Sequence, residues 1–311
     1  MRPTKDNSRD SRSSAPPARW VGSHVEPIVT VITASLNQRQ FIGDCLKSVA
    51  RQDCGAVEHV IVDADSTDGT LDLVRGWRAH RIRLIVEPGI SMADALNLAL
   101  AESTGRVVAW LATDDAFFCR DAVSSALRVF DADPSPDVVY GDAVSVDETG
   151  RVLRYVRPHV GDLKRVTDTS PLVQPSVLMR RTVVRDSFLR PTLQVSLDHE
   201  LWLRLSREEC RFRHVPRVLA VDRDRPDRLS HRLADRGRQE RDLLAIEYQL
   251  LPDDRPLLVR DGERWLRRLE GVRLILRLER DYDPAFSWRV DARWRRLVRQ
   301  MLLRQSQLTR L

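Results

Sequence analysis

Short apolar runs alternate with stretches of helical periodicity between residues 28 and 112. The apolar runs have the length of buried strands and cover residues 28–33, 57–63, 82–87 and 106–112. The helical stretches between them cover about 39–50, a segment that begins near Thr67, and 91–103. Alternation at this spacing is typical of β-α-β units. The pattern therefore predicts an α/β fold with a doubly wound, mainly parallel sheet and flanking helices.

The alternation loosens beyond Asp115. A helix is predicted over about 120–130, and β-branched residues then alternate over 138–156 around the turn sequence 147–150, which indicates a hairpin. Two further elements, a strand and a helix, are predicted over 176–180 and 198–209. The regular α/β pattern therefore occupies the N-terminal half of the predicted domain.

Two pairs of acidic residues stand where apolar runs end. Asp63 and Asp65 lie at the end of the second predicted strand, and Asp114 and Asp115 follow the fourth. Open α/β sheets bind ligands outside the carboxyl ends of their strands, so these carboxylates are expected to converge there. A cluster of carboxylates at the ends of the strands suits a metal ion and a nucleotide ribose better than a bare anion.

Three segments of different composition divide the 311 residues. Residues 1–26 are rich in Ser, Arg, Asp and Pro, which predicts a disordered arm. Residues 27–235 form the predicted α/β domain, and 236–311 a basic helical extension. Apolar residues recur at helical spacing in that extension, at Trp265, Leu269, Val272 and Leu276 and again at Trp294, Leu297 or Val298, Met301 and Leu308.

The net charge of +6 belongs to the C-terminal end of the chain. From Arg260 to Leu311 there are 14 Arg against 7 Asp and Glu, a balance of +7. Such helices could lie on an anionic membrane surface, or their apolar stripe could pack on the core or on a second subunit. Nucleic acid is disfavoured as a partner because acidic residues interrupt the basic patch.

Cysteine usage and hydropathy predict a cytoplasmic location. The four cysteines lie far apart without a Cys-x-x-Cys pair, and no early apolar run resembles the core of a signal peptide. No run approaches the roughly 18–20 apolar residues that cross a bilayer. Peripheral attachment to the inner face of the membrane remains open.

Six segments, in order, resemble the family-2 glycosyltransferases of GT-A fold, which move a sugar from a nucleotide diphosphate to an acceptor hydroxyl. They are VTVITASLNQ (29–38), VIVDADSTDGT (60–70), ISMADALNLAL (90–100), WLATDDAF (110–117), QPSVLMRR (174–181) and VSLDHELWLRL (195–205). The resemblance covers about 27–233 and implies a metal-dependent, inverting hexosyltransferase in polysaccharide or glycoconjugate biosynthesis. It implies a nucleotide-diphosphate sugar donor and a glycan or lipid-linked acceptor as partners.

The resemblance places the nucleotide at the ends of the first two strands. Thr33, Ala34, Ser35 and Asn37 would approach the base and ribose, and Asp63 would accept a hydrogen bond from the base. Ser35 or Asn37 could instead cap the following helix. The Ser-Thr-Asp-Gly sequence after Asp63 is explained by helix capping alone.

The same resemblance assigns the metal and diphosphate side of the site. Asp115 would ligate Mg²⁺ or Mn²⁺, hard cations that take oxygen ligands and bridge diphosphate oxygens. Asp114 would meet the ribose or a metal-bound water. Asp94 and Asn97 would face the sugar diphosphate, with helix capping as the alternative for Asp94. Leu-Ala follows Asn97 where Lys-Gly is frequent in the family, so a cationic phosphate contact is expected to be missing.

Asp198 matches the general base of the family, which would take the proton of the acceptor hydroxyl. Glu200 is a rival for that role, and a helix N-cap is the structural alternative for Asp198. The sequence RPDRLSH (225–231) resembles a segment that closes on the diphosphate. It makes His231 a candidate metal ligand, and Arg228 and Ser230 further candidates.

Two other functions compete with this interpretation. A non-catalytic GT-A-like binding or assembly module is the alternative if the departures after Asn97, or an unproductive Asp198, have removed turnover. A nucleotidyltransferase of related topology is disfavoured because no Gly-rich phosphate loop with a following lysine accompanies the first strand.

Overall fold

The structure is a computed structural model that describes residues 28–158, 163, 170–184 and 188–250. The predicted arm over 1–26 and the predicted extension beyond residue 250, with its two amphipathic repeats, lie outside the described residues. Among the helices that are described, none has the length and apolar character needed to cross a bilayer.

Strands and helices alternate through the first part of the described chain, as the sequence predicted. The strands are β1 (Val29–Ser35), β2 (Val57–Asp63), β3 (Ile82–Val86), β4 (Val107–Trp110), β5 (Ala116–Phe117), β6 (Val138–Val146), β7 (Val152–Val156), β8 (Val177–Arg180) and β9 (Phe212–Arg223). The helices are α1 (Ile42–Ala50), α2 (Thr70–Gly76), α3 (Met92–Ala101), α4 (Ala122–Ala132), α5 (Leu197–Arg207), α6 (Leu229–Arg232) and α7 (Ala234–Glu247).

The strands of the described part form one mixed sheet in the order β3-β2-β1-β4-β8-β6-β9-β5, with β7 paired to β6. Pairing is parallel from β3 through β4. Strand β8 then runs antiparallel to both β4 and β6, while β9 is parallel to β6. The predicted α/β class is confirmed, and the parallel order applies to the half of the sheet that the regular β-α-β pattern produced.

The sheet is buried on both faces. In β1, Val29 and Val31 pack into one apolar cluster with residues of α1 and α4, whereas Ile32 packs into a second cluster with residues of α3 and α5. Successive side chains of a strand point to opposite faces, so a run that is apolar at nearly every position fits a strand covered on both sides. The core thereby fixes where each strand ends, and with it the position of the residues that follow.

Two helices start three residues later than expected. Helix α1 begins at Ile42 and α2 at Thr70. The delay before α2 has a clear cause, because Gly69 adopts a φ of 89° and the Asp68 carboxylate accepts hydrogen bonds from the Thr70 backbone and hydroxyl at 3.0 and 2.5 Å. The Ser-Thr-Asp-Gly sequence therefore builds a turn before the helix rather than its first turn.

The long strand β9 was not predicted from the sequence. It carries charged residues and an internal proline, Pro216, which argues against a central strand. The structure accommodates Pro216 where the register with β6 is irregular, since Gly141 pairs with Val215 and the next residue, Asp142, pairs with Val218. Strand β9 matters because its end delivers the segment 223–228 to the acidic edge of the sheet.

A buried carboxylate holds the opposite edge of the sheet together. Glu58 Oε1 accepts hydrogen bonds from the Thr30 hydroxyl at 2.6 Å and from the backbone N–H groups of Thr104 and Gly105 at 2.6 and 3.1 Å. Burial opposes ionisation, but these hydrogen bonds outweigh it and hold the pKa of the Glu58 carboxyl below its ordinary value.

Glu58→Gln is therefore expected to lower the free energy of unfolding by about 1–2 kcal/mol at neutral pH, because hydrogen bonds to a charged acceptor are the stronger ones. A depressed folded-state pKa contributes stability that is lost as the pH falls from about 4.5 through the folded value. Urea denaturation of both proteins at pH 7 and pH 4 should show the difference shrinking on acidification. A difference independent of pH would contradict the assigned role.

Candidate active site

The carboxyl ends of β1, β2 and β4 meet at one edge of the sheet, as the sequence predicted. Ser35 and Asp63 are register neighbours at the ends of β1 and β2, and the Asp114-Asp115 pair follows β4. The end of β9 reaches the same edge, because the Arg223 backbone N–H donates to Asp115 Oδ1 at 2.9 Å. Four separate strands thus contribute to one polar site.

Asp115 is almost completely buried, with 1% of its surface exposed. Its Oδ2 has no hydrogen-bond partner, whereas Oδ1 is occupied by the Arg223 N–H. Burial, followed by the nearby charges of Asp114 and Asp222, raises the pKa of the Asp115 carboxyl well above its ordinary value. An unpaired buried carboxylate oxygen is costly unless a proton or a cation compensates it.

Asp114 is paired with an arginine that the sequence analysis did not assign. Arg225 Nε donates to Asp114 Oδ2 at 2.9 Å, and its guanidinium also contacts Asp227 and the Gln38 side chain. The guanidinium lies over the ring of Phe41, 4.8 Å from its centroid. This cation therefore joins the acidic pair to the loop between β1 and α1.

Arg223 links the segment that carries Asp114 and Asp115 to helix α1 and to the turn after β6. Its fully buried guanidinium donates to the Asp114 backbone carbonyl at 3.0 Å and to Asp44 Oδ2 on α1 at 2.9 Å, and reaches the carbonyls of Asp147 and Glu148. The signal for Arg223 and Arg225 was the frequent arginine and aspartate over 222–228. The segment that resembled the family there began only at residue 225 and named Arg228, so Arg223 and the pairing of Arg225 with Asp114 became visible only with strand β9.

Arg228, which the resemblance named, lies in the site. Its Nη1 pairs with Asp222 Oδ1 at 2.8 Å. Burial opposes its charge, but Asp222, Asp115 and Asp114 outweigh that effect and raise the pKa of the Arg228 guanidinium above its ordinary value. The same cation acts on the carboxyl of Asp198. The guanidinium of Arg228 therefore influences both the acidic pair and the predicted base.

Two of the predicted nucleotide residues, Asp63 and Asn37, are hydrogen-bonded to the turn that follows β2. Both carboxylate oxygens of Asp63 accept from Ser66, its N–H at 2.6 Å and its hydroxyl at 2.8 Å. Asn37, at a φ of 52°, receives the Thr67 N–H on its side-chain oxygen. These bonds shape the turn after β2 and leave the nucleotide roles of Asp63 and Asn37 as predictions.

Three neighbouring residues of β1 differ in what they offer a ligand. The Thr33 hydroxyl is fully buried and bonds the Leu111 carbonyl at 2.6 Å and the His59 ring at 2.9 Å. Ala34 is half-buried. The Ser35 hydroxyl is buried without a hydrogen-bond partner, beside Asp63 in the register. Ser35 is thus the hydroxyl of β1 that is open to a new bond.

The two residues predicted to face the diphosphate from α3 are also engaged within the protein. Asp94 exchanges hydrogen bonds with Ser91 at the start of the helix, which is the capping arrangement held open as its alternative. The Asn97 side chain makes two hydrogen bonds with the backbone of Leu189. Its Nδ2 donates to the Leu189 carbonyl and its Oδ1 accepts from the Leu189 N–H, each at 2.9 Å. Both residues shape the region, and their donor contacts remain predictions.

Asp198 lies in the first turn of α5 and is half-buried. Burial raises the pKa of its carboxyl above the ordinary value, while the Ser170 hydroxyl, the His199 N–H and Arg228 act in the opposite direction. Its rival Glu200 is 1% exposed and holds Arg204 at 3.2 Å and the Tyr248 hydroxyl at 2.9 Å. Glu200 therefore serves an internal network.

Two histidines of the region, His199 and His231, lie in different surroundings. His199, next to Asp198, is 3% exposed, and burial lowers the pKa of its ring to about 4. His231 is half-exposed on α6, and its Nε2 lies 3.3 Å from Asp224 Oδ1. The described residues contain no group of three or more His, Cys, Asp or Glu side chains that could hold a metal ion by themselves.

The residues present nevertheless fit a divalent cation bound together with a substrate. Mg²⁺ in phosphate-transfer sites is held by one or two carboxylates, with substrate phosphates and water as the other ligands. The unpartnered Oδ2 of Asp115 supplies one such buried oxygen. The nearby Arg225 and Arg228 are already paired with Asp114, Asp227 and Asp222, so a cation at Asp115 would add positive charge that the local ion pairs do not supply.

The fold is the GT-A fold, as its likeness to two solved structures shows. The mannosyltransferase PcManGT of Pyrobaculum calidifontis, in complex with GDP-Man and Mn²⁺, superposes with a TM-score of 0.55 at 23% identity over 75% of this chain and 68% of that one. Staphylococcus aureus TarS 1-349 with UDP-GlcNAc gives a TM-score of 0.53 at 21% identity over 65% of this chain and 60% of that one.

The chain belongs to glycosyl transferase family 2, whose family model matches residues 30–188, just over half of the sequence. A PGL/p-HBAD biosynthesis glycosyltransferase of Mycobacterium tuberculosis is 32% identical over 121 residues, 38% of this chain and 47% of that protein. The chain thus spans about half the length of this relative. Membership of the family confirms the resemblance found in the sequence.

Proposed function

We propose that the chain is a metal-dependent, inverting glycosyltransferase that moves a sugar from a nucleotide-diphosphate donor to an acceptor hydroxyl. The observation that carries this proposal is the buried Oδ2 of Asp115, which has no partner and lies beside an Asp114–Arg225 ion pair of 2.9 Å at the carboxyl ends of the strands. Arg228 acts electrostatically both on this acidic pair and on the carboxyl of Asp198, the group that would take the acceptor proton.

The chain's own residues account for the steps of such a reaction. Asp198 takes the proton of the acceptor hydroxyl, whose oxygen attacks the anomeric carbon in line with the departing group. The bond between the sugar and the diphosphate breaks, and its electron pair leaves with the nucleotide. Arg225 and Arg228 would stabilise the charge that builds on the diphosphate.

Asp115 is the residue that would hold Mg²⁺ or Mn²⁺, through its unpartnered Oδ2. The cation supplies further neutralisation of the diphosphate when it is bound. PcManGT was solved with GDP-Man and Mn²⁺, which supports a divalent cation in this site as well. His231 would have to leave Asp224 to contribute a ligand, so we assign it no part in the reaction.

The acceptor is proposed to be a glycan or a lipid-linked molecule met in the cytoplasm or at the inner face of the membrane. Two observations support this, the role of the mycobacterial relative in PGL/p-HBAD biosynthesis and the +7 balance of residues 260–311. A basic segment is attracted to anionic lipid by about 1 kcal/mol per well-placed charge. We propose no nucleic-acid partner.

A donor screen tests the proposed function. The full chain is titrated by calorimetry with UDP-GlcNAc, UDP-glucose and GDP-mannose, with Mn²⁺ and with EDTA, and nucleotide release is followed in parallel. We expect one donor to bind with a Kd between about 1 µM and 1 mM only with the cation, and to be turned over. Binding without any turnover, with water or with a glycan acceptor, would instead indicate a non-catalytic binding module.

A further inference from the structure

Helix α7 carries a buried carboxylate that the reaction scheme above does not use. Glu240 is 1% exposed, and its carboxylate accepts three consecutive backbone N–H groups, from Gln194 at 2.9 Å, Val195 at 3.0 Å and Ser196 at 2.9 Å. Arg236, one turn earlier on α7, donates to the same carboxylate at 3.0 Å. Every one of these donors is backbone of the segment that enters α5 or a neighbour on α7.

The three N–H groups belong to the residues that immediately precede α5. The first N–H groups at a helix start have no partner within the helix and must be satisfied from elsewhere. Ser196 is the N-cap of α5, yet its side chain makes no capping hydrogen bond. A local cap would accept from Asp198 or His199 inside the helix, so Glu240 does not replace it; its carboxylate instead fixes the three backbone N–H groups that lead into α5 and places negative charge near the start of the helix.

The consequence for the site follows from the position of Asp198, two residues after Ser196. The direction in which α5 leaves the segment 194–196 decides where the Asp198 carboxylate lies. Burial opposes ionisation of Glu240, but the three backbone N–H groups and Arg236 outweigh it, so the pKa of its carboxyl lies below the ordinary value. Glu240 therefore remains a charged acceptor at neutral pH.

The rest of α7 is packed on the same region. Gly237 lies so close to Val195 that an added Cβ would stand 3.0 Å from Val195 Cγ1. Further along, Leu244 is buried at 1% exposure. Tyr248, which follows the helix, donates its hydroxyl to Glu200 on α5 at 2.9 Å. Helix α7 thus contacts both the entry to α5 and its first turns.

We propose that Glu240 is a positioning residue for the reaction, which orients the base Asp198 by fixing the backbone of residues 194–196. This inference rests on the proposed function, because it takes Asp198 to be the base. It also extends the catalytic unit past residue 235, since the carboxylate lies on a helix that crosses the boundary expected from composition. Glu240 touches neither donor nor acceptor in this scheme.

Glu240→Gln is the variant that tests the proposal. The amide keeps the size of the side chain but has one acceptor oxygen and an NH₂ group that cannot accept. The hydrogen bonds from the N–H groups of residues 194–196 to the second oxygen are therefore lost. Glu247→Gln is the matched control, since it makes the same change on the same helix at an exposed residue that pairs with Arg190 at 2.7 Å. Both are compared with the wild type in hydrolysis of the donor found by the screen.

We expect Glu240→Gln to lower kcat by about 10- to 100-fold, the order of effect of a misplacement near 1 Å, with the Kd of the nucleotide diphosphate within about threefold of the wild type. Glu247→Gln should leave both unchanged. In an Asp198→Asn background, Glu240→Gln should add little further loss, because the two residues act through one group. A residue that only supports the fold would lower the unfolding temperature and leave kcat unchanged below it.

A second variant keeps the test decisive if Glu240→Gln does not fold. Gly237→Ala retains the carboxylate and favours the helix, but its methyl group presses on Val195. A several-fold fall in kcat at unchanged donor affinity then supports the proposal, and an unchanged kcat overturns it.

The outcomes separate this inference from the proposed function. If Asp198→Asn is inactive while Glu240→Gln has normal kcat, the positioning role is wrong and the base assignment stands. If Glu240→Gln lowers kcat by the same factor with and without Asp198, Glu240 acts through another group and the inference is overturned. A wild-type chain that turns over no donor overturns both.

Discussion

Asp198→Asn is expected to lower kcat for sugar transfer by about 100- to 10,000-fold, the range that a positioned general base contributes. The amide cannot take the proton of the acceptor hydroxyl, but it fits the space of the carboxylate at the start of α5. Donor binding, which we assign to Asp115 and its neighbours, should stay within about threefold of the wild type. A fall in kcat at constant donor affinity marks an interaction needed in the transition state.

Glu200→Gln is the control for this assignment, and the structure changes what it should do. Glu200 is buried against Arg204, Arg190 and the Tyr248 hydroxyl. Removing its charge leaves the largely buried Arg204 without this counter-ion, while Arg190 keeps its ion pair with Glu247. We expect a clear loss of thermal stability, with kcat retained at temperatures where the variant is folded. Retained transfer in the Asp198 variant together with lost transfer in the folded Glu200 variant would reverse the two roles.

The pH dependence gives an independent check on Asp198. Burial raises the pKa of its carboxyl above the ordinary 3.8, and a base must be deprotonated to act. The acid limb of kcat/KM should therefore lie at higher pH than an ordinary aspartate would give, and it should disappear from the residual activity of Asp198→Asn. An acid limb that the variant retains would belong to another group.

The sequence predicted those strands whose run of apolar residues matches their burial in the structure. Strand β2 has the bounds read from its apolar run, and the carboxylates after β2 and β4 meet at one edge as expected. These strands are covered on both faces, so most of their residues are apolar and the run is visible in the sequence. Strand β9 has polar residues and Pro216 along it, and its pairing depends on a β6 strand more than 60 residues away, which local periodicity does not report.

The site shows the same division between local and distant causes. Asp114 and Asp115 could be found because they follow a strand directly, but their partners Arg223 and Arg225 arrive from the end of β9. Local hydrogen bonds engage more of the polar residues than the family resemblance suggested, since Asp94 bonds Ser91 at the start of α3 and Asp63 bonds Ser66 in the turn after β2. Hydrogen bonds to a neighbouring turn and hydrogen bonds to a ligand require the same residue types. The sequence therefore does not distinguish the two roles, whereas the three-dimensional structure shows which bonds are made within the protein.

Asp115→Asn is expected to weaken the Mn²⁺-dependent binding of UDP or GDP by about 100-fold or more while the fold persists. Loss of a residue that only orients a metal ligand typically costs 10- to 100-fold in affinity, so loss of the ligand oxygen should cost at least the upper value. The fold should tolerate the change because the amide oxygen of Asn can still accept the Arg223 N–H that Oδ1 receives at 2.9 Å. The charged Oδ2 that would face the cation becomes an NH₂ group.

Calorimetric titrations of UDP and GDP with Mn²⁺ and with EDTA measure this directly and need no acceptor. Asp131→Asn is the matched control, since Asp131 pairs with Arg106 on the exposed surface at 3.0 Å. In the wild type and the control, the cation should strengthen binding; in Asp115→Asn, it should have little effect. An Asp115 variant with wild-type Mn²⁺ dependence would place the cation elsewhere. Tight binding that ignores Mn²⁺ in every protein would show that Arg225 and Arg228 neutralise the diphosphate by themselves.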